Sequence, residues 1–317
     1  MKSKKCSKGL YEKTAVVICG ATASGKTGFS VDIAEAVGGE VVSADCMLVY
    51  KRLNIGTAKP TVEERKGIPH YMIDVTEPEQ SYSVSDYENA ALPLVYDIVQ
   101  REKVPVICGG TGFYIQSLLF ERQNGNVPAD ARIREKYENL ALEKGKGYVH
   151  SMLAEVDPES AEKLHPNDLK RVIRALEIFE CTGRKKSEQR DGFEPRIRYA
   201  AFAFDYPRNI LYERIDRRVD QMLSAGLVDE VESLYRDGID EHCQCMQGIG
   251  YKEVLEFLKN RISYSTMSDM IKQNTRNYAK RQITFFKKFP NLIWLDPEAK
   301  ENVERVSEYV VGRKTDF

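Results

Sequence analysis

The chain has 317 residues, 42% of them hydrophobic and 30% charged, with a formal net charge of −1. That length suits one large domain or two ordinary ones with a sizeable core, and the composition excludes a fibrous, disordered or membrane-spanning chain. The charge by itself says nothing for nucleic acid, so local clusters have to make that case.

The N-terminal stretch MKSKKCSKGLYEK is basic but has no apolar core, and no apolar run approaches membrane-spanning length. The seven cysteines, Cys6, Cys19, Cys46, Cys108, Cys181, Cys243 and Cys245, are an odd number, and Cys19 and Cys108 fall in apolar strand sequence. Both features lead us to expect a cytoplasmic protein with reduced thiols, no membrane contact and no disulfide framework.

Ala15 to Cys19 reads as a buried strand running into Gly20, and Gly20, Gly25, Lys26 and Thr27 then fill the pattern G-x-x-x-x-G-K-[ST]. Helix-compatible sequence follows from Lys26 to Val37. A glycine-rich turn between strand and helix lets consecutive backbone N–H groups converge on a phosphate at the positive end of the helix. Lys26 adds a mobile charge, and the Thr27 hydroxyl is placed to hold Mg²⁺. The motif-level expectation is a site for a di- or triphosphate, of the type that also binds ATP.

After Gly38-Gly39, Glu40 to Ala44 reads as a second strand ending at Asp45. In open parallel sheets ligands bind beyond the carboxyl ends of the strands, which puts Asp45 at the same crevice as Gly20. The ordinary fate of such an aspartate is a turn or cap, and position alone leaves both readings open. Gly56-Thr57-Ala58-Lys59-Pro60 is turn-rich, and a loop region extends to about Ser85, which we expect to cap a helix from Asp86 to about Glu102 with Glu88 as capping-box partner. Val104 to Cys108 is another buried strand, ending in Gly109-Gly110-Thr111-Gly112, a second glycine turn with a hydroxyl. It carries no aspartate where a nucleotide triphosphatase would commonly keep its Mg²⁺-organising carboxylate.

From Gln123 to about Ile197 strand-like runs give way to helical ones: Asp130 to Glu143, Gly147 to Val156, Pro158 to Leu164, and Asn167 to Thr182, capped by Asn167-Asp168 and stopped at Gly183. Arg171 and Arg174 share a face, with Lys170 beside them and Lys185, Lys186 and Arg190 following; such a face is ordinarily just solvated. Ile197 to Asp205 returns to strand. Pro207 opens a helix to about Gly226 carrying Arg214 and Arg218 at i, i+4, with Arg217 adjacent; another helix runs from Leu227 to Arg236. Cys245 to Lys252 is a loop leading into a helix to about Lys259. His242, Cys243 and Cys245 lack a second pair at ligand spacing, so no zinc site is expected. Ser265 or Thr266 starts a long helix through about Lys288, on which Lys272, Arg276 and Lys280 form a basic stripe, either a phosphate track or an ordinary exposed face. Leu292 to Asp296 is a last strand, followed by a helical tail.

The expected fold class is therefore α/β: a P-loop NTPase-like parallel sheet core flanked by helices, residues 14–122 and 197–317, with an all-helical insertion domain at 123–196.

Taken in order, Gly20-Ala-Thr-Ala-Ser-Gly-Lys-Thr27, Ser43-Ala-Asp45, Tyr50, Gly56-Thr-Ala-Lys-Pro60, His70, Gly109-Gly-Thr-Gly112 with Tyr114, His165-Pro-Asn-Asp168 with Arg171 and Arg174, and Gly248-Ile-Gly-Tyr-Lys252 closely resemble the bacterial tRNA dimethylallyltransferase family. The resemblance covers about residues 14 to 296. It implies transfer of a dimethylallyl group from dimethylallyl diphosphate to the exocyclic amine of an adenosine just 3′ of the tRNA anticodon. On that reading Gly20, Ala21, Thr22, Ala23, Ser24, Gly25, Lys26 and Thr27 hold the diphosphate with Mg²⁺ on Thr27. Arg218, with Arg214 as the alternative, adds a cation. Asp45 takes the amine proton or holds the amine in line, and Thr111 orients the same centre. Asp45, Cys46, Met47, Leu48 and Thr111, then Lys170, Arg171, Val172, Ile173 and Arg174, and Gln247, Gly248, Ile249, Gly250, Tyr251 and Lys252 match segments that contact tRNA, so the helical insertion becomes a grip on the anticodon stem-loop.

Two positions depart from the family: Ala21 replaces a common Pro, and Cys46 stands where Ser is usual, which removes one hydroxyl from the RNA side. The chain lacks the zinc-finger extension of eukaryotic relatives, which favours a bacterial enzyme. No obligate protein partner is implied, and a monomer is expected. The rival readings are an adenylate isopentenyltransferase, a P-loop small-molecule kinase with Asp45 as base and Asp205 as Mg²⁺ carboxylate, and an NTP-gated RNA-binding module.

Overall fold

Short runs of Val, Ile, Ala and Cys that are apolar on both sides suit strands covered on both faces, as in the middle of a parallel sheet. Ala15–Cys19 forms β1 and is buried at every residue. The computed structural model describes residues 14–121, 127, 129–188 and 194–312, so the basic N-terminal stretch with Cys6, and Arg190, lie outside the described residues. After β1 come α1 (Lys26–Val37), β2 (Gly39–Ser43), β3 (His70–Tyr71), α2 (Val84–Gln100), β4 (Val104–Gly109) and α3 (Gly112–Leu119). A helical stretch follows, with α4 (Ala131–Lys144), α5 (Lys146–Val156), α6 (Pro158–Lys163) and α7 (Leu169–Thr182). Then come β5 (Tyr199–Phe204), α8 (Arg208–Ser224), α9 (Leu227–Arg236), α10 (Tyr251–Leu258), α11 (Tyr264–Phe286), β6 (Leu292–Leu295) and α12 (Asn302–Val310).

The strands form one sheet in the order β3-β2-β4-β1-β5-β6, parallel throughout. Val16 and Ile18 of β1 pack with Phe29 and Ile33 of α1 and Val306 of α12 on one face. β4 lies on one side of β1 and β5 on the other, so the order of strand addition reverses at β1, where open α/β sheets place their ligands. Cys19 is level with Gly109, and Ser43 with Cys108. The phosphate loop, the second glycine turn and Asp45 therefore leave the sheet side by side.

Residues up to Leu119 and from Pro195 onward make one compact unit, and Phe120–Glu194 makes another. The second has its own core, in which Tyr137, Val149, Leu153, Val172, Ile173 and Leu176 are buried together. A buried carboxylate there must be fully bonded. Glu177 accepts from the Asp130 N–H at 2.8 Å and from Arg134 Nε at 2.8 Å, and it pairs with Arg174.

Local signals misplace several helix starts. α2 starts at Val84, capped by Ser83: Ser83 Oγ accepts from the Asp86 N–H while Asp86 Oδ2 accepts from the Ser83 N–H at 2.8 Å. The serine-x-x-acid pattern occurs in both registers, and Glu88 is unavailable for capping because it is buried in an ion pair with Arg196 at 2.6 Å. α11 likewise starts earlier than expected, with Ser263 accepting from the Thr266 N–H. Asp168 occupies the N-cap of α7 but makes no cap bond, pairing instead with Arg171 at 3.3 Å. β3 lies inside the stretch read as loop; two residues give no periodicity to detect. Among the described residues the six cysteines are free, no group of His, Cys, Asp or Glu is arranged to hold a metal, and no helix is long and apolar enough to cross a membrane.

Candidate active site

The loop from Gly20 to Gly25 turns through three residues of positive φ, Gly20 at 121°, Ala23 at 60° and Gly25 at 88°. It has no ladder to hold it and is tied by side chains instead. Ser24 Oγ donates to the Ala21 carbonyl at 2.9 Å, and Lys26 Nζ folds back onto the same oxygen at 2.6 Å. Arg214 Nε donates to the Ala23 carbonyl at 2.8 Å while its guanidinium lies 4.9 Å from the Tyr206 ring centre. Gln282 accepts from the Thr22 N–H at 2.8 Å. No side chain caps α1, so its first amide groups are left to meet an anion.

Two cavities open beyond the strand ends. The first is lined by Thr22, Ala23, Gly25, Lys26 and Thr27 of the loop and by Asp45, Leu48, His70, Gly110 and Gln282. The second is lined by Cys46, Met47, Gln247, Gly248, Ile249 and Gly250, with an apolar wall of Ile215, Val219, Met222 and Ile271. They share Thr22, Asp45, Thr57, Arg218 and Tyr278. A polar, cation-bearing chamber thus meets a more apolar one at a carboxylate, a guanidinium, a phenol and two threonines.

Burial lowers the pKa of Lys26, partly offset by Cys108 and Asp45, with Arg218 adding to the depression. Burial also lowers the pKa of Arg218 from its very high ordinary value, against the pull of Asp45 and Glu64. Two cations held close in a partly dry cleft are costly without an anion between them, which favours a polyanionic ligand.

Arg214 and Arg218 separate clearly. Arg214 is spent on bracing the loop carbonyl, and Arg218 lines both cavities. Asp45 Oδ1 accepts from the Met47 N–H at 2.9 Å, so this residue is a turn aspartate and also lines both cavities. Thr111 is not among the residues lining either one. Its Oγ1 accepts from the Cys46 N–H at 3.0 Å and its N–H donates to the Ala44 carbonyl at 3.1 Å, so it braces the backbone on both sides of Asp45. Gly20, Ala21 and Ser24 shape the loop from behind.

Three residues expected to contact RNA have side chains that cannot do so as folded. Val172 and Ile173 are buried in the core of the helical unit, and Tyr251 is buried with its hydroxyl donating to Glu230 Oε1 at 2.7 Å. Lys170, Arg171 and Lys252 are exposed, whereas Arg174 is tied to Glu177 and to the Val127 carbonyl. The basic stripe of α11 is largely neutralised, since Lys272 pairs with Asp220 at 2.6 Å and Arg276 with Asp216 at 2.5 Å. Another row of that helix, Asn274, Tyr278 and Gln282, is polar as well, and its last two members line the site. Asn274 donates to Glu253, Tyr278 lines both cavities, and Gln282 binds the loop. Sequence reading passed over this row, although polar residues at i, i+4 and i+8 beside the apolar Ile271, Ala279 and Phe286 are a signal for buried polar work. Asp205, the carboxylate a kinase reading needs, is exposed and lines a small separate pocket with Trp294.

Residues 48–289 match the model of the IPP transferase family. A tRNA dimethylallyltransferase of Bacillus cereus is 46% identical over 304 residues, which is 95% of each chain, and one of Bacillus anthracis is 46% identical over 95% of this chain and 96% of its own. Among solved structures, the full-length tRNA isopentenylpyrophosphate transferase of Bacillus halodurans is 38% identical and superposes with a TM-score of 0.71, over 95% of this chain and 96% of that one. A eukaryotic dimethylallyltransferase acting on tRNA is 29% identical and superposes with a TM-score of 0.83, over 96% of this chain and 81% of that one. With its P-loop, its second glycine turn and its paired cavities on a matching parallel sheet, this chain belongs to the IPP transferase family.

Proposed function

We propose that this protein transfers a dimethylallyl group from dimethylallyl diphosphate to the N6 amine of the adenosine immediately 3′ of the tRNA anticodon, releasing diphosphate and N6-isopentenyladenosine. The observation that carries the reading is the junction of the two cavities at Asp45 and Arg218. The diphosphate end of the donor belongs against the phosphate loop, Lys26 and Arg218. The adenine belongs in the second chamber, reached once the base is turned out of the anticodon stack. The allylic C–O bond breaks with its electron pair leaving on the diphosphate, where cations and loop amides stabilise the growing charge. The C–N bond forms at the amine, and Asp45 accepts the proton that the amine loses. Thr111 serves by holding the Cys46 backbone beside Asp45.

Thr27 lines the loop cavity and its hydroxyl is an oxygen donor of the kind Mg²⁺ takes, so the residues present fit that ion. When bound it supplies positive charge to the diphosphate. Lys170 and Arg171, exposed on α7, make the helical unit's contribution to the anticodon stem-loop, and the free thiols suit a protein working in the cytoplasm beside its tRNA.

The test is a donor swap on one labelled RNA. With Mg²⁺ and an anticodon stem-loop bearing adenosines 3′ of the anticodon, mass spectrometry should show one five-carbon allylic unit gained with dimethylallyl diphosphate and none with ATP. Prenylation of free AMP without RNA product would move the assignment to a nucleotide-modifying enzyme, and ATP consumption without either product would overturn it.

A further inference from the structure

Gln282 is a polar residue where α11 otherwise turns apolar side chains inward, with Ala279 and Phe286 buried nearby. A leucine or methionine would fill that space without a polar group of its own to satisfy, whereas a buried carboxamide is tolerated only when both of its ends are bonded. Both are. Its Oε1 accepts from the Thr22 N–H at 2.8 Å and its Nε2 donates to the Gly110 carbonyl at 3.0 Å. One side chain thus joins the phosphate loop after β1 to the glycine turn after β4, across the floor of the first cavity.

The fit is close. A Cβ on Gly110 would lie 2.2 Å from Gln282 Nε2, so any side chain there forces the carboxamide to move from its present position. Of the loop's tethers, Ser24 acts within the loop and Arg214 pulls on Ala23 from α8, while among the described residues Gln282 alone also reaches the second turn. An anion-binding loop gains affinity by being fixed before the anion arrives, since ordering it on binding is subtracted from the binding free energy.

We propose that Gln282 is a positioning residue that locks the phosphate loop to the second glycine turn in the conformation that receives the diphosphate. The proposal rests on the transferase reading for the identity of the donor, but it concerns the loop and can be measured without turnover. It makes Gly110 the partner of Gln282, because a glycine there leaves the space the carboxamide occupies.

The experiment uses the full-length chain and inorganic diphosphate as the probe. Gln282→Met, which keeps volume and removes both hydrogen bonds, and Gly110→Ala, which displaces the carboxamide, should each weaken diphosphate binding in calorimetry. They should also raise KM for dimethylallyl diphosphate, by roughly 5- to 100-fold, the range expected when a buried N–H loses its acceptor. KM for the RNA stem-loop should not change. Because the two substitutions break one link, the double variant should be no worse than the poorer single. Unchanged diphosphate affinity in Gln282→Met, or a drop in thermal stability with both KM values intact, would reduce Gln282 to a core bridge and overturn the proposal; additive losses in the double variant would also sink it. If Gln282→Met does not fold, Gly110→Ala decides by the same readouts. A wild-type chain that binds diphosphate in this Gln282-dependent way but transfers no allyl group would refute the transferase reading and leave the positioning role standing.

Discussion

Asp45 shows how one side chain can satisfy two readings at once. One carboxylate oxygen closes its own turn on Met47, which is the ordinary use of an aspartate after a strand, and the same residue lines both cavities. Replacing it with Ala should therefore slow transfer by roughly 10²- to 10⁴-fold, the usual loss for a general base, while the stem-loop still binds. Asp45→Asn keeps an acceptor for the Met47 N–H but cannot take the proton, so it should be nearly as slow as Asp45→Ala while remaining as stable as wild type. Single-turnover rates and RNA affinity for both variants check this; loss of RNA binding instead of rate would make Asp45 mainly a contact residue. The position of Asp45 was legible because a strand end in a parallel sheet predicts a crevice. The choice between Arg214 and Arg218 was not, because residues at i, i+4 share a helix face and only tertiary partners, the Ala23 carbonyl and the Tyr206 ring, assign one of them to bracing.

At the scale of elements, the segment Asn54 to Pro60 depends on a partner far away in the chain. The N–H groups of Asn54, Ile55 and Gly56 all donate to the Glu230 carboxylate, at 2.8, 2.8 and 3.1 Å, and Tyr251 donates to it from the other side. A Cβ on Gly56 would come within 2.6 Å of the Tyr251 ring, so the phenol packs close against the backbone there. α9 and α10 together hold in place the loop that delivers Thr57 to the junction of the cavities. Glu230→Ala leaves three N–H groups and a phenol without their acceptor and should cost about 1–3 kcal/mol locally. The check is amide exchange. Exchange at residues 54–56 should accelerate selectively, with transfer slowed alongside, and Tyr251→Phe should do less of both; exchange that stays slow would show that packing alone holds the loop. The turn chemistry of Gly56 to Pro60 could be read locally, but its acceptor is 174 residues further on, and no local pattern encodes that pairing. The same physics misplaced the start of α2. Two overlapping serine-x-x-acid registers are equivalent until burial of Glu88 against Arg196 removes one of them.

At the scale of the whole molecule the near-zero net charge conceals two kinds of cation. Lys272 and Arg276 face Asp220 and Asp216 across α8 and α11, and Arg174 is tied to the buried Glu177, so these residues hold the protein together. Lys170 is exposed, and Arg171, with 69% of its side chain exposed, has among the described residues only a loose 3.3 Å partner in Asp168, a pair worth little in water. Sequence spacing finds all of these as helical basic faces, because periodicity records which side chains are neighbours on a helix and not which carboxylates a second helix brings opposite them. The salt dependence of stem-loop binding separates the two kinds. Each phosphate contact contributes roughly 0.7 to 0.9 to the slope of log K against log salt concentration. Arg171→Ala and Lys170→Ala should each lower that slope by about one such step, whereas Lys272→Ala should leave it unchanged, because that ammonium is already neutralised by Asp220. Arg174→Ala should act differently again, destabilising the helical unit by stripping a partner from a buried carboxylate. A slope unaffected by Arg171 would return it to an ordinary solvated face. A slope lowered by Lys272→Ala would mean that RNA displaces Asp220, making the paired stripe of α11 a second phosphate track opened on binding.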